Sequence, residues 1–259
     1  MLASVVPSRS EIVARLRAAG CVFAEDEAAL LLGVAHDEDH LESMIARRAA
    51  GFPLEHVLGW ADFAGARVAV TGGVFVPRHR TELLTTTARA LVRPGHTVLD
   101  LCCGTGALGL VVVRDVTPVR LVASDVDPAA VECARRNLAP LTGEVFCGDL
   151  FAPLPADLRG TVDLLLANVP YVPTAEIAYL PEEFRVHEAR SALDGGADGL
   201  DILRRLADEA PGWLAPGGTL LTEVGAAQVD PAREILSSAG LRPRTVSDTE
   251  TFVVVASLP

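Results

Sequence analysis

Four consecutive residues, Asn168-Val169-Pro170-Tyr171, have the types and order to act on a ligand. They follow an apolar run from Val162 to Ala167, which is too short for a helix and nearly unbroken, as in a parallel strand covered on both faces. Open α/β sheets bind ligands at the carboxyl ends of such strands. Pro170 lacks a backbone donor and drives Val169 toward extended geometry. The Asn168 amide and the Val169 carbonyl are then free to face a ligand. Asn beside Pro is also an ordinary turn signal, so the upstream sequence has to decide between the two readings.

Upstream, His96 to Leu101 reads as an apolar strand with an acid, Asp100, near its end, and Cys102-Cys103-Gly104-Thr105-Gly106 is a turn that opens a helix. Leu121 to Asp125 is a second strand, whose terminal acid lies about twenty residues beyond the turn. Glycines let backbone approach a ligand closely, amides at a helix start favour polar or anionic groups, and a strand-end carboxylate accepts ribose hydroxyls. Tight packing of strand on helix would explain a lone G-x-G, but Asp100 and Asp125 at this spacing favour an adenosine-containing ligand. Asp149, followed by Leu150 after a third strand from Glu144 to Cys147, is a candidate for the adenine edge; an ordinary helix cap is the alternative. Gly104, Gly106 and Gly109 also fit G-x-G-x-x-G, which keeps an NAD(P) oxidoreductase in view.

Composition narrows the classes. Half of the 259 residues are hydrophobic, enough for a sizeable core. A net charge of −12 argues against broad phosphate-backbone binding, and hence against nucleic acid. All 22 basic residues are Arg, which rules out a Schiff-base lysine and a P-loop lysine. The five cysteines, Cys21, Cys102, Cys103, Cys133 and Cys147, form no C-x-x-C pair. They point to reduced thiols, neither a disulfide framework nor a metal site. With no basic-apolar leader and no uncharged span of membrane length, the reading is a cytoplasmic protein.

The elements that must position these residues fall into three parts. Residues 1–50 have helical periodicity, with Ser8 and Glu11 as a capping box, and form two or three helices too small to bury a core unaided. Residues 51–80 are a linker in which Arg67 to Val70, Gly72-Gly73 and Val74 to Val76 read as a hairpin. Thr81 then caps a helix with Glu82 in its first turn, and residues 81–259 alternate strand and helix, closing with a hairpin near Arg242 to Val246 and Thr251 to Ser257. Glu82 and Glu223 are further candidates for the pocket wall.

Taken together, Asp-Leu-x-x-Gly-Thr-Gly, Asp125, Asp149 and Asn-x-Pro-Tyr resemble class I S-adenosylmethionine-dependent methyltransferases that act on planar nitrogens. Within that class the chain resembles the HemK/PrmC family of protein-glutamine N5-methyltransferases. The likeness extends through Gly51-x-Pro53, Val57-Leu-Gly59, Phe63, Val76-Pro77-Arg78 and Thr81-Glu82. It continues in Ala192-Leu193-Asp-Gly195-Gly196-Ala-Asp198-Gly199-Leu200, Leu214-Ala-Pro-Gly217-Gly218, Glu223-Val-Gly225 and Gln228. Three departures mark a divergent paralogue: Val169 for the first proline of Asn-Pro-Pro-Tyr, Glu188-Ala189 for Glu-Pro, and Asp248-Thr-Glu-Thr-Phe252 for a closing Asp-x-x-x-x-Arg.

The resemblance implies a Rossmann-like sheet of seven strands, the last antiparallel, preceded by a helical substrate-recognition segment. It implies S-adenosylmethionine held by Asp100, Cys102, Cys103, Gly104, Thr105, Gly106, Asp125, Asp149, Leu150 and Asn168. The implied substrate is the Gly-Gly-Gln loop of a peptide-chain release factor, with Asn168, Val169, Pro170 and Tyr171 as the catalytic segment. In that scheme the Asn168 side-chain oxygen and the Val169 carbonyl each take one N–H of the glutamine amide, and Tyr171 forms a wall. An adenine amino group as acceptor, and a cofactor-binding paralogue without catalysis, are the alternatives.

Overall fold

Ser8 opens the first helix as its sequence predicts: its backbone N–H donates to Glu11 Oε2 at 2.7 Å, and its hydroxyl accepts from the Glu11 amide. The computed structural model describes residues 7–259. Helices α1 (Arg9–Ala18), α2 (Ala24–Val34) and α3 (Glu38–Ala49) enclose Ile12, Leu16, Leu31, Met44 and Ile45. That small core is completed from the linker, where Val57 and Leu58 of the short helix α4 (Leu54–Leu58) pack into it. The helices thus lean on the following segment, as three short amphipathic helices must when they cannot cover one another fully.

The linker contains a hairpin, but not the one expected around Gly72-Gly73. Strands β1 (Trp60–Phe63) and β2 (Ala66–Ala69) pair antiparallel, with Trp60 opposite Ala69, and reverse through Ala64-Gly65 at positive φ. Trp60-Ala-Asp-Phe63 supplies the partner for the alternating arm, because Phe63 and Val68 then bury the same face against the main core. Gly72-Gly73 instead carries the chain outward, where Gly73 bridges to Glu188. The helix α5 (Glu82–Leu91) begins as expected with Glu82, yet Thr81 makes no side-chain cap, and its hydroxyl is buried without a partner.

The main sheet is built from β3 (Thr97–Leu101), β4 (Arg120–Asp125), β5 (Glu144–Cys147), β6 (Val162–Ala167), β7 (Leu214–Val224), β8 (Arg242–Ser247) and β9 (Phe252–Ser257). Their order is β5-β4-β3-β6-β7-β9-β8, all parallel except β9, which runs antiparallel to both neighbours. This is the expected seven-stranded Rossmann-like sheet with its last strand reversed. Alternate residues of each strand serve the two faces. Leu99 and Leu165 join Leu203, Leu206 and Leu236 on one, and Val98, Leu164 and Leu166 join Leu84, Val111 and Val131 on the other.

The helices that supply those side chains are α6 (Ala107–Val113) and α7 (Pro128–Leu138) beside α5, and α9 (Asp201–Glu209) and α10 (Val229–Ser238) opposite; α8 (Glu182–His187) lies outside both cores. Each fully buried leucine stabilises the fold by roughly 1.5–3 kcal/mol relative to exposure. Among the described residues no helix is long and apolar enough to cross a membrane.

Register places the chemistry. Leu101 pairs with Ser124 and with Ala167, and Ala167 pairs with Thr222. Cys102, Asp125, Asn168 and Glu223 follow one residue later, so they share one edge of the sheet at the point where strand order reverses.

Candidate active site

At that edge lies a cavity of about 500 Å³. Cys102, Cys103, Gly104 and Thr105 line it from the β3 turn, Asp125, Val126 and Asp127 from the end of β4, and Asn168, Val169, Pro170 and Tyr171 from the end of β6. The structure therefore brings together the turn, the strand-end acid and the Asn-x-Pro-Tyr segment.

The glycine turn is tied to Asp125, whose Oδ2 accepts the Gly104 N–H at 2.8 Å, while its Oδ1 accepts the Asp127 N–H at 2.9 Å. Burial pushes the Asp125 carboxyl up, and these two backbone donors oppose the shift. Each oxygen keeps a second lone pair for a hydroxyl donor in the cavity. Asp127, which the sequence reading did not single out, also lines the cavity while its side chain caps α7 through the Ala129 N–H.

Asn168 has a side-chain oxygen that is buried without a hydrogen-bond partner. Among the described residues nothing donates to the Val169 carbonyl either. Two acceptors thus stand without donors at the end of one strand. A buried orphan of this kind costs about 1–3 kcal/mol, a cost removed when a donor arrives.

The segment beyond Asn168 is fixed from behind. Gln228 Nε2 donates to the Tyr171 carbonyl and to the Asp198 carbonyl, each at 2.9 Å, and its Oε1 accepts from Gly225 N–H at 2.8 Å. Gly195 N–H donates to the Val172 carbonyl at 2.9 Å. A Cβ on Gly199 would stand 2.2 Å from the Tyr171 carbonyl oxygen, and one on Gly195 would stand 2.6 Å from that of Pro170. These contacts give a physical reason for motifs that the sequence reading carried as resemblance alone.

Other candidates stand outside the cavity lining. Asp100 is fully buried beneath the turn, with Oδ2 accepting the Gly109 N–H at 2.9 Å and Oδ1 unpartnered. Burial pushes its carboxyl up to about 8, and the Gly109 N–H opposes that shift. Gly106 caps α6 in the left-handed region, and Leu150 is buried, its carbonyl accepting from Ser124 Oγ at 3.0 Å. Asp149 is exposed and ion-paired with Arg205, and it does not line the cavity. Glu82 accepts from the Ala64 N–H at 3.3 Å and meets His79 at 3.0 Å, whereas buried Glu223 meets Tyr171 and Arg80. Burial drives both cavity thiols, Cys102 and Cys103, upward, so they stay protonated.

Sequence reasoning missed the outer wall. Phe75, Leu180, Pro181 and Phe184 line the cavity. The Arg78 guanidinium carbon sits 4.7 Å from the Phe75 ring centroid and 3.8 Å from that of Phe184, and its Nη2 donates to Glu188 Oε1 at 2.6 Å. The helical amino-terminal part reaches the same wall: Arg48, held by Glu27 at 2.6 Å, meets Glu183 at 3.3 Å, and Phe52 stacks on His187 at 4.1 Å. No local periodicity signals Phe184, since α8 buries none of its own residues.

Comparison with known proteins agrees with this geometry. A family model described as methyltransferase small domain matches residues 71–198. A release factor glutamine methyltransferase of Geobacter sulfurreducens is 37% identical, covering 76% of this chain and 69% of that protein. One from Moorella thermoacetica is 35% identical over 89% of this chain and 88% of its own length. A 4-amino-L-phenylalanine/4-methylamino-L-phenylalanine methyltransferase of Streptomyces pristinaespiralis is 36% identical, with coverage of 76% and 69%. Among solved structures, a methyltransferase from Pyrococcus furiosus superposes with a TM-score of 0.56 at 17% identity, covering 75% of this chain and 89% of that one. A ribosomal protein L11 methylase from Lactobacillus delbrueckii subsp. bulgaricus gives 0.52 at 18% identity, covering 73% and 83%. The last two carry the fold.

Proposed function

The chain belongs to the release factor glutamine methyltransferase family, whose members depend on S-adenosylmethionine, and from that premise we propose that it methylates the side-chain amide nitrogen of a release-factor glutamine, in the Gly-Gly-Gln loop. The observation that carries this reading is the buried, unpartnered Asn168 oxygen next to the Val169 carbonyl, which also receives no donor among the described residues. A primary amide presents two N–H donors from one planar nitrogen, which is what this pair of acceptors can receive.

The cavity fits the cofactor on its own features: Asp125 has free lone pairs at the strand end, Gly104 and Thr105 bring backbone to the wall, and the volume suits a small-molecule site. Cys102, Cys103, Gly104, Thr105 and Asp125 would hold it, with Asp100, Gly106 and Leu150 shaping the turn and strand ends beneath. When bound, S-adenosylmethionine supplies an electrophilic methyl group on a sulfonium.

The protein's own contribution is orientation. An amide nitrogen is a poor nucleophile because its lone pair is delocalised, so holding both N–H groups aims that lone pair and favours the pyramidal geometry of attack. Asn168 accepts one proton donor and the Val169 carbonyl the other. The backbone carbonyl survives the departure from proline at Val169, and Pro170 still restricts that residue. Tyr171 walls the flat acceptor, and Phe63, Phe75 and Phe184 exclude water. No strong base is required, because the methylated nitrogen is acidic and loses its proton to solvent.

A second reading is a small aromatic amine as acceptor, favoured by the rings of Phe63, Phe75, Tyr171 and Phe184 around the cavity. Offering the protein both an unmethylated release factor and 4-aminophenylalanine, with S-adenosylhomocysteine as the readout, separates the two. Turnover with the release factor supports the first reading, and turnover with the amine alone replaces it.

A further inference from the structure

Tyr171 is held at both ends. Its carbonyl accepts from Gln228 at 2.9 Å, and its hydroxyl donates to Glu223 Oε1 at 2.7 Å. The second contact crosses from the loop after β6 to the carboxyl end of β7, where Glu223 is 2% exposed. A carboxylate so deep needs compensation. Arg80 supplies it, with Nε 3.2 Å from the same oxygen and its guanidinium carbon 5.8 Å from the Tyr171 ring centroid. The other oxygen, Oε2, is buried with no partner.

Glu223 does not line the cavity, whereas Tyr171 and Arg80 do. Its oxygen therefore reaches the acceptor's surroundings only through those two side chains. An aromatic ring on a loop has two soft torsions. A charge-assisted hydrogen bond to its para hydroxyl, roughly twice as strong as a neutral one, fixes χ1 and so the place of the ring, while the hydroxyl lies on the χ2 axis and the Arg80 guanidinium over the ring face holds the plane. With Oε2 unpartnered, the polar side-chain contacts of Glu223 all run through Oε1 to the two cavity-lining side chains.

We propose that Glu223 is a positioning residue of the methyl-transfer site: it locks the Tyr171 phenol, with Arg80 as counter-charge, so that the ring stands as a fixed wall against the planar acceptor. The proposal rests on Tyr171 facing the acceptor, as in the function given above. It assigns Glu223 to the acceptor end of the site, acting on turnover and leaving cofactor affinity alone.

The sequence provides a clean probe, because Tyr171 and Tyr179 are the only two tyrosines and Tyr179 is 87% exposed. In a Tyr179→Phe background, tyrosine labelled at Cζ gives one resonance that reports the Tyr171 hydroxyl. Burial and the Glu223 charge both push this phenol up, while Arg80 opposes them. Glu223→Gln should therefore move the Cζ resonance at neutral pH and lower its titration midpoint. An unchanged resonance and midpoint overturns the lock, whether or not the protein methylates any glutamine.

Kinetics supply the second arm. Glu223→Gln and Tyr171→Phe should each lower kcat about tenfold, the equivalent of one lost orienting hydrogen bond. The double variant should fall no further than the weaker single one, with S-adenosylmethionine affinity unchanged throughout. A double variant near the product of the two losses, or a cofactor Kd that moves with Glu223→Gln, contradicts the proposal. Failure of the wild-type protein to methylate release factor would overturn the proposed substrate, while the resonance still decides the lock.

Discussion

Glu188 reaches Arg78 across 110 residues of sequence, and its two carboxylate oxygens lie 2.6 and 2.7 Å from one guanidinium nitrogen. The same carboxylate accepts the Val76 N–H at 3.1 Å. One buried side chain therefore fastens the α8 strap to the entry segment of the catalytic sheet, with Phe75 and Phe184 on the Arg78 guanidinium. The departure from Glu-Pro to Glu188-Ala189 leaves the acid in place.

Removing this fastening should be costly. Glu188→Ala leaves the guanidinium of Arg78, largely withdrawn from water, without its carboxylate, a loss of about 3 kcal/mol. Chemical denaturation should report a drop of that size. The KM for a protein acceptor should rise, because Phe184 and Leu180 lose their anchor.

The roles assigned at the two strand ends are separable. Asn168→Ala should lower kcat by roughly 10²–10³-fold, in the range seen when one preorganised polar group is removed, with cofactor affinity largely kept. Asp125→Ala should instead weaken S-adenosylmethionine binding, measurable by titration calorimetry. Equal loss of cofactor affinity in both variants would contradict the assignment.

Asp100 predicts a pH dependence of stability. Its folded-state value, raised by burial to about 8, exceeds the ordinary 3.8, so the folded state holds a proton that the unfolded chain releases. Stability from this group therefore falls as pH rises from about 4 to about 8. Asp100→Asn keeps an acceptor for the Gly109 N–H and should flatten this part of the Tm-against-pH curve.

Gly199 predicts a steric result. It has φ +77° and no room for a Cβ beside the Tyr171 carbonyl oxygen and the Gln228 amide. Gly199→Ala should lower stability and displace the Tyr171 segment, so kcat should fall more than cofactor affinity. Gly20→Ala has the same backbone strain, φ +90°, with nothing within 4 Å of the added carbon, and serves as the control.

Much of the sheet was legible because its strands obey local rules. The run from Val162 to Ala167 is apolar but for Asp163, and Asp125 ends its strand at the spacing a ribose acceptor requires. The hairpin was misplaced because Gly72-Gly73 is a stronger local turn signal than Ala64-Gly65, and only burial of Phe63 against Val68 decides the pairing. Asp149 follows its strand as the pattern expects, and its carboxylate meets Arg205 from a helix far along the chain, a contact that no spacing encodes. Phe184 and the Glu188–Arg78 fastening depend on contacts between distant segments that no spacing encodes. In the closing segment that departs from the family pattern, Asp248 Oδ1 accepts the Glu250 and Thr251 N–H groups at 2.9 and 2.8 Å, capping the turn between β8 and β9.

The most direct measurement is intact-mass spectrometry of release factor, expressed unmethylated, after incubation with S-adenosylmethionine and this protein or its Asn168→Ala variant, followed by peptide mapping. The account predicts the gain of one methyl group on the glutamine of the Gly-Gly-Gln loop with the wild-type protein, and almost none with the variant. An unmodified glutamine with the cofactor bound, or equal methylation by both proteins, would contradict it.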